Sequence, residues 1–276
     1  MASEEARSRP VMLAAVTITR LEKAATDNGF DLDLGPVANW LSFGSSQTSM
    51  RVWLTAQGES RFLAAVSRAD VLDGLAGLGV PPTDPLPGGA ADALSVDNIA
   101  ALHHLLRRAF QLSRTLPDAL LRAFQDESAN LPRTTEAERL VVQRVGQDVF
   151  RRGLFEYWDG RCAITGLAVP DLLRASHIKP WAACNTDAER LDVFNGLLLA
   201  AHLDAAFDAG FITVARDGTV LVSTMLPPDA RSAVGLDGSL TVRSLHHAHE
   251  RYLRSHRATI FRTSAEAHAS LSRARR

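Results

Sequence analysis

Two neighbouring stretches constrain this chain more than any other feature. They are Arg174-Ala-Ser-His-Ile-Lys-Pro-Trp181 and Asn195-Gly-Leu-Leu-Leu-Ala-Ala-His-Leu-Asp-Ala-Ala-Phe-Asp208. Ala175, His177 and Pro180 flank a turn rich in Asp, Asn and Thr, so the first stretch predicts a strand entering a loop. Leu197, Leu198 and Leu199 predict a short apolar strand. From about Ala201 the residues are good helix formers, and Gly210 is a natural stop. The local order is strand, loop, strand, helix.

Asp204 and Asp208 are i and i+4 on that helix, so their carboxylates share one face, one turn apart. Two carboxylates this close repel unless a cation lies between them. Oxygen ligands favour Mg²⁺ or Mn²⁺ over zinc, one divalent ion per site. His202 is counted among the catalytic candidates, but it precedes Asp204 by two residues and in an ideal helix faces elsewhere. It joins the same ion only if the helix starts after it.

With these residues in view, the segment resembles the HNH endonucleases of the ββα-metal fold. The likeness is to a bacterial restriction-like subgroup carrying Ser-His-Ile-Lys-Pro-Trp and Asn-Gly-Leu-Leu-Leu, and it extends over about residues 134–261. The resemblance implies that His177 is the general base, that Asn195 ties the loop down, and that Asp204 and Asp208 hold the metal. Colicin-type nucleases space their helix ligands from the asparagine as this chain spaces 204 and 208 from 195. One position departs from the pattern. The residue before the base, often Asp or His, is Ser176. A hydroxyl is a poor ligand, so either Ser176 or a water completes the set.

The chemistry permitted is hydrolysis of a phosphodiester. A neutral His177 takes a proton from water, and the hydroxide attacks phosphorus. A cation on the two aspartates offsets the charge growing on the phosphate and the departing 3′ oxygen. Arg174, Lys179 and arginines of the preceding helix, Arg144 and Arg151, are candidates to meet the DNA backbone. The expected partner is double-stranded DNA, with a homodimer as one route to cutting both strands. The implied role is restriction or defence, with selection by a modified base as one form of it. The alternative is a non-cutting DNA-binding or regulatory protein with a decayed nuclease domain, which Ser176 motivates.

The rest of the chain predicts an α+β protein of two domains in its 276 residues. Residues 1–125 predict an independent α+β domain, 126–133 a linker with Pro132, and 134–276 the nuclease domain with a basic tail. In the first domain, a helix between Val11 and Asn28 should bury Val16, Leu21, Ala24 and Ala25. Strands are expected at 40–43, 51–54 and 62–66, a short helix at 69–78, and a Pro- and Gly-rich loop at 80–91. Asp97 or Ser95 should cap a helix through Leu112. That helix carries the cluster His103, His104, Arg107, Arg108 and Arg114, and residues 104, 107, 108 and 111 share a face suited to phosphate or to the second domain. Trp40 and Trp53, at strand spacing, predict core packing.

In the second domain, Thr135 and Glu138 predict a capping box opening a long helix to about Trp158. An Asp-Gly turn at 217–218 predicts a hairpin, and 240–243 a further short strand. His246, His247 and His249 are assigned to a solvated face. Between Arg243 and Arg276 eight arginines face Glu250 and Glu266, although the whole chain has a net charge of only −1. Two cysteines, Cys162 and Cys184, support neither a disulfide framework nor a structural zinc knuckle. With no long apolar run and no secretory signal, no membrane association is expected, and the expected location is the cytoplasm.

Overall fold

The structure, a computed structural model, describes residues 13–116, 119–132 and 134–263. Three of the eight arginines in the basic tail expected from the sequence, Arg273, Arg275 and Arg276, therefore lie outside the described residues. Among them no helix is long and apolar enough to cross a membrane. The chain divides into two compact units, Met1–Leu116 and Pro117–Arg276.

The first unit is an antiparallel sheet flanked by helices. Strands β1 (Leu32–Val37), β2 (Trp40–Gly44), β3 (Val52–Gln57), β4 (Arg61–Val66) and β5 (Asp92–Val96) pair in sequence order. Helices α1 (Ala15–Asp27) and α3 (Ile99–Thr115) pack on each other and on this sheet, while α2 (Ala69–Leu72) is a single turn. Trp53 faces Ala65 across one pair, and Ala65 faces Ala93 across the next. With Trp40 and Leu63 they form a buried cluster, so the two tryptophans serve the core. The Pro- and Gly-rich loop covers this cluster through Ala90.

Sequence expectation and structure part company in several places here: β5 was not expected, and the helix expected at 69–78 is the α-helical turn Ala69–Leu72. Val16 is 71% exposed, because α1 turns only its second half inward. β1 was not expected, since Gly35 and Pro36 weaken a strand; it survives at the sheet edge with a bulge between Asp33 and Gly35. α3 is capped by Asn98, whose side chain accepts from Ala101 N–H at 2.8 Å, and not by Asp97 or Ser95.

The second unit begins earlier than the sequence suggested. Helix α4 (Ala119–Ser128) was expected in the first domain, with residues 126–133 as linker. Instead α4 packs on α5 (Glu136–Tyr157). The contact is set by one glycine of α5. A Cβ at Gly153 would stand 2.3 Å from Leu120 of α4, whereas one at Gly146 would stand 2.7 Å from Trp181. Only a bare backbone lets α4 lie this close. The capping box forms as expected: Thr135 N–H donates to Glu138 at 2.8 Å and Glu138 N–H to Thr135 at 3.2 Å.

Beyond α5 come β6 (Leu173–His177), the short helix α6 (Asp187–Arg190), β7 (Gly196–Ala200) and α7 (Ala201–Asp208). β6 and β7 are antiparallel, with His177 opposite Gly196 and Leu173 opposite Ala200. The hairpin β8 (Ile212–Val214) and β9 (Val220–Val222) follows, then α8 (Pro228–Ala233) and α9 (Glu250–Thr259). The strand expected at 240–243 reduces to one bridge between Thr219 and Thr241. Gly210 ends α7 with φ +74°, and a Cβ there would meet Ile260 O at 2.1 Å.

Candidate active site

His177 ends β6 and is held from three directions. Its Nε2 lies 2.8 Å from Arg190 O. A carbonyl only accepts, so Nε2 carries the hydrogen and Nδ1 keeps the lone pair. The Phe150 ring from α5 stacks on the imidazole, centroids 3.7 Å apart and planes 17° from parallel. Trp181 meets it edge-on at 5.4 Å. Burial lowers the imidazole pKa from its ordinary 6.5 to about 4, although the Arg190 carbonyl pulls the other way. The ring is therefore neutral at physiological pH.

The loop between β6 and β7 is tied by Asn195, which is wholly buried. Its Oδ1 accepts from Lys179 N–H at 2.8 Å. Its Nδ2 donates to Glu189 O at 3.1 Å and to Lys179 O at 3.3 Å. This fixes α6, and α6 supplies the Arg190 carbonyl that orients His177. The Arg190 guanidinium closes the same loop by donating to Cys184 O at 2.6 Å.

Helix α7 brings its carboxylates to the other wall. Ser176, His177, Asp204 and Asp208 line one cavity of about 530 Å³, with Arg151, Arg174 and Asp148. Burial raises the Asp204 pKa, opposed by the Ser176 hydroxyl and by Arg174. Ser176 Oγ is buried without a well-formed hydrogen bond, so its nearness to Asp204 is a loose polar contact. A desolvated carboxylate beside an orphaned hydroxyl is a donor set with an unmet need, and a hard oxygen-seeking ion fits it. Among the described residues, no third His, Cys, Asp or Glu joins Asp204 and Asp208 at ligand spacing. Ser176 and water are left to complete the shell.

Of the remaining sequence candidates, His202, Lys179, Arg144 and Asn195 lie off this cavity. His202 is exposed, because α7 begins at Ala201 and so includes it, turning it away from Asp204. Lys179 is paired with Glu189 at 2.6 Å and held in the loop, not offered to a ligand. Arg144 is exposed on α5, one turn before Asp148, and does not line the cavity. Asn195 is a loop tie buried away from it. Arg151 lines the wall while donating to Leu173 O at 3.1 Å, and Arg174 donates to Asp171 O at 2.9 Å. The two cysteines occupy separate places: Cys162 Sγ accepts from Ala200 N–H at 3.3 Å, and Asn195 Nδ2 donates to Cys184 Sγ at 3.4 Å.

Sequence reading missed Phe150, Trp181 and Asp148 as cavity residues, and it missed His256 entirely. A signal for the last was present. His249, Tyr252, Leu253 and His256 follow the i, i+3, i+4, i+7 stripe of a buried helix face. His249 and His256 are indeed buried, which corrects the solvated assignment for His249, while His247 is exposed and His246 half-buried.

A two-stranded hairpin followed directly by a helix, with a neutral imidazole on the first strand and two carboxylates on the helix, defines the ββα arrangement of metal-assisted nucleases. Residues 162–215 match the family model of the HNH endonuclease, so the C-terminal half of this chain carries an HNH domain. No curated protein matches the chain.

Proposed function

We infer that this chain is a divalent-metal-dependent HNH endonuclease that hydrolyses DNA phosphodiester bonds in a restriction or defence setting. The observation that supports this most is the shared cavity, with His177 on one wall and Asp204 and Asp208 on another. Nδ1 of His177 is the group that accepts the proton from water, because Nε2 is committed to Arg190 O. The Phe150 stack and the Asn195-tied loop keep that lone pair aimed and the ring uncharged. Asp204, Asp208 and the Ser176 hydroxyl would hold the ion. Once bound, it would supply a Lewis acid for the phosphate and the leaving oxygen.

Charge balance adds an independent reason for the ion. The cavity wall carries three carboxylates (Asp148, Asp204, Asp208) against two guanidinium groups (Arg151, Arg174), with His177 and His256 neutral. A phosphate diester entering that surplus of negative charge is repelled. A divalent cation reverses the sign. Catalysis and tight DNA binding at the cavity therefore both require it.

The test is nicking of supercoiled plasmid by the full chain, with EDTA and then with added Mn²⁺ or Mg²⁺. Cleavage should depend on the ion, and His177→Ala should abolish it while leaving DNA binding in Ca²⁺ intact. Cutting by His177→Ala at the wild-type rate would sink the assignment of the base. DNA binding by the wild type with no cutting under any ion favours the decayed-domain reading. Digestion of unmodified and modified DNA panels tests the restriction role and any need for a modified base.

A further inference from the structure

His256 of helix α9 and Ile260, the residue after its end, line the cavity, both beyond residue 215, where the family match ends. His256 is buried and both its ring nitrogens are engaged. Nε2 lies 3.2 Å from Phe207 O, and Nδ1 lies 2.9 Å from Thr213 Oγ1. The carbonyl only accepts, so Nε2 bears the hydrogen. Nδ1 is then an acceptor, and the Thr213 hydroxyl donates to it. The imidazole also lies flat on the Phe207 ring, centroids 3.9 Å apart and planes 14° from parallel.

Two of these contacts, the Phe207 carbonyl and the Phe207 ring, fall on the end of α7. Phe207 is the residue before Asp208, and its carbonyl, in the last turn, accepts Gly210 N–H at 2.9 Å as well as the His256 ring. Thr213 sits on β8, which leaves α7 through the Gly210 turn. The imidazole thus bridges the two elements on either side of that turn. A leucine or phenylalanine would fill the same volume without the cost of burying two polar nitrogens. What the histidine adds is direction, since both of its bonds have fixed geometry.

We propose that His256 is a positioning residue for the ion-binding face of α7, locking the last turn and its carboxylates against β8 on the cavity wall. The idea rests on the nuclease reading, and groups behind metal ligands commonly set the affinity of the site. His256 does not touch the substrate. It acts through Phe207 and, by continuity of the helix, through Asp208 and Asp204.

The experiment measures Mn²⁺ binding to the full chain without DNA, by calorimetry or by loss of the free-ion electron paramagnetic resonance signal. The variants are His256→Phe, His256→Gln and Thr213→Val. His256→Phe keeps the stack and removes both bonds, and it should weaken Mn²⁺ binding about tenfold. The Mn²⁺ concentration for half-maximal cleavage should rise by the same factor, with KM for DNA unchanged at saturating Mn²⁺. His256→Gln can still donate to Phe207 O, so it should recover part of the loss. Thr213→Val should shift binding in the same direction by a smaller factor. Wild-type Mn²⁺ affinity in His256→Phe overturns the proposal. Should that variant not fold, unchanged affinity in both other variants overturns it equally. If the wild type neither binds Mn²⁺ nor cuts, the nuclease reading itself fails. If the wild type does both and the variants match it, only the role of His256 fails.

Discussion

At the scale of single residues, the site is an imidazole held by its surroundings more than by a partner side chain. Phe150 is the clearest case, since its ring covers one face of His177 at 3.7 Å. Phe150→Leu conserves most of the buried volume and should cost less than about 1.5 kcal/mol of stability. The lost stack frees the ring to rotate away from Arg190 O, so kcat should fall about tenfold with KM little changed, the pattern of a positioning defect. A variant that loses stability yet cuts at the wild-type rate would show the stack to be packing alone. Asn195 tells a complementary story. Its side chain satisfies Lys179 N–H and two carbonyls inside the loop. Asn195→Ala strands those groups and should destabilise the protein by about 3 kcal/mol, at roughly 1–3 kcal/mol for each buried group left unpaired. Denaturant unfolding followed by tryptophan fluorescence checks this, and a loss below 1 kcal/mol would mean that water replaces the amide.

At the scale of elements, small residues decide where the aromatic groups can go. Gly196 lies opposite His177 in the β6–β7 pair. A Cβ there would stand 2.6 Å from Phe150 and 2.7 Å from Leu154. Gly196→Ala should therefore push Phe150 off the imidazole, costing about 1–3 kcal/mol of stability by overpacking and losing activity beyond that expected from stability alone. Differential scanning calorimetry and the nicking rate, measured together, separate the two losses. This also accounts for the Asn-Gly pair in the sequence: the asparagine ties the loop, and the glycine admits the helix behind it. The site-bearing elements were legible because each follows from its own residues. Apolar Leu197–Leu199 made β7, helix formers from Ala201 to a left-handed Gly210 made α7, and Thr135 with Glu138 opened α5. What was not legible depended on partners distant in sequence. β1 and β5 are edge strands that owe their form to β2 and β4, and their own Gly-Pro and polar residues argue against it. α4 was assigned to the wrong unit because only Gly153 of α5, read as a docking surface, would have claimed it. Lys179 looked like a free cation until Glu189, ten positions on, was folded back against it.

At the scale of the whole molecule, the buried histidines couple the site to stability. Both His177 and His256 have pKa values lowered from 6.5 to about 4 by burial. The unfolded chain takes up these protons near pH 6.5 and the folded chain does not until about pH 4, so the unfolded state binds more protons in between. The contribution is whole above pH 6.5 and drains away as pH falls toward 4, on the order of 3 kcal/mol for each ring. Unfolding in EDTA should show that decline, and His256→Phe should remove about half of it; a flat profile between pH 7 and 4.5 would contradict the burial of both rings. Asp204 runs the other way. Burial raises its carboxyl pKa, so its ionised form opposes folding at neutral pH in the absence of an ion. Asp204→Asn removes that charge while keeping an oxygen near Ser176. The ion-free protein should therefore become more stable at pH 7, and the gain should shrink as the pH is lowered and the native carboxyl takes its proton. The same variant should lose the stabilisation that Mn²⁺ gives the wild type, because a ligand lifts stability only through its preference for the folded state. Thermal unfolding with and without Mn²⁺ tests both halves. Higher ion-free stability joined to a lost Mn²⁺ response marks a carboxylate kept for the ion at the expense of the fold, whereas a less stable variant that still responds to Mn²⁺ would assign Asp204 to structure and move the ion elsewhere.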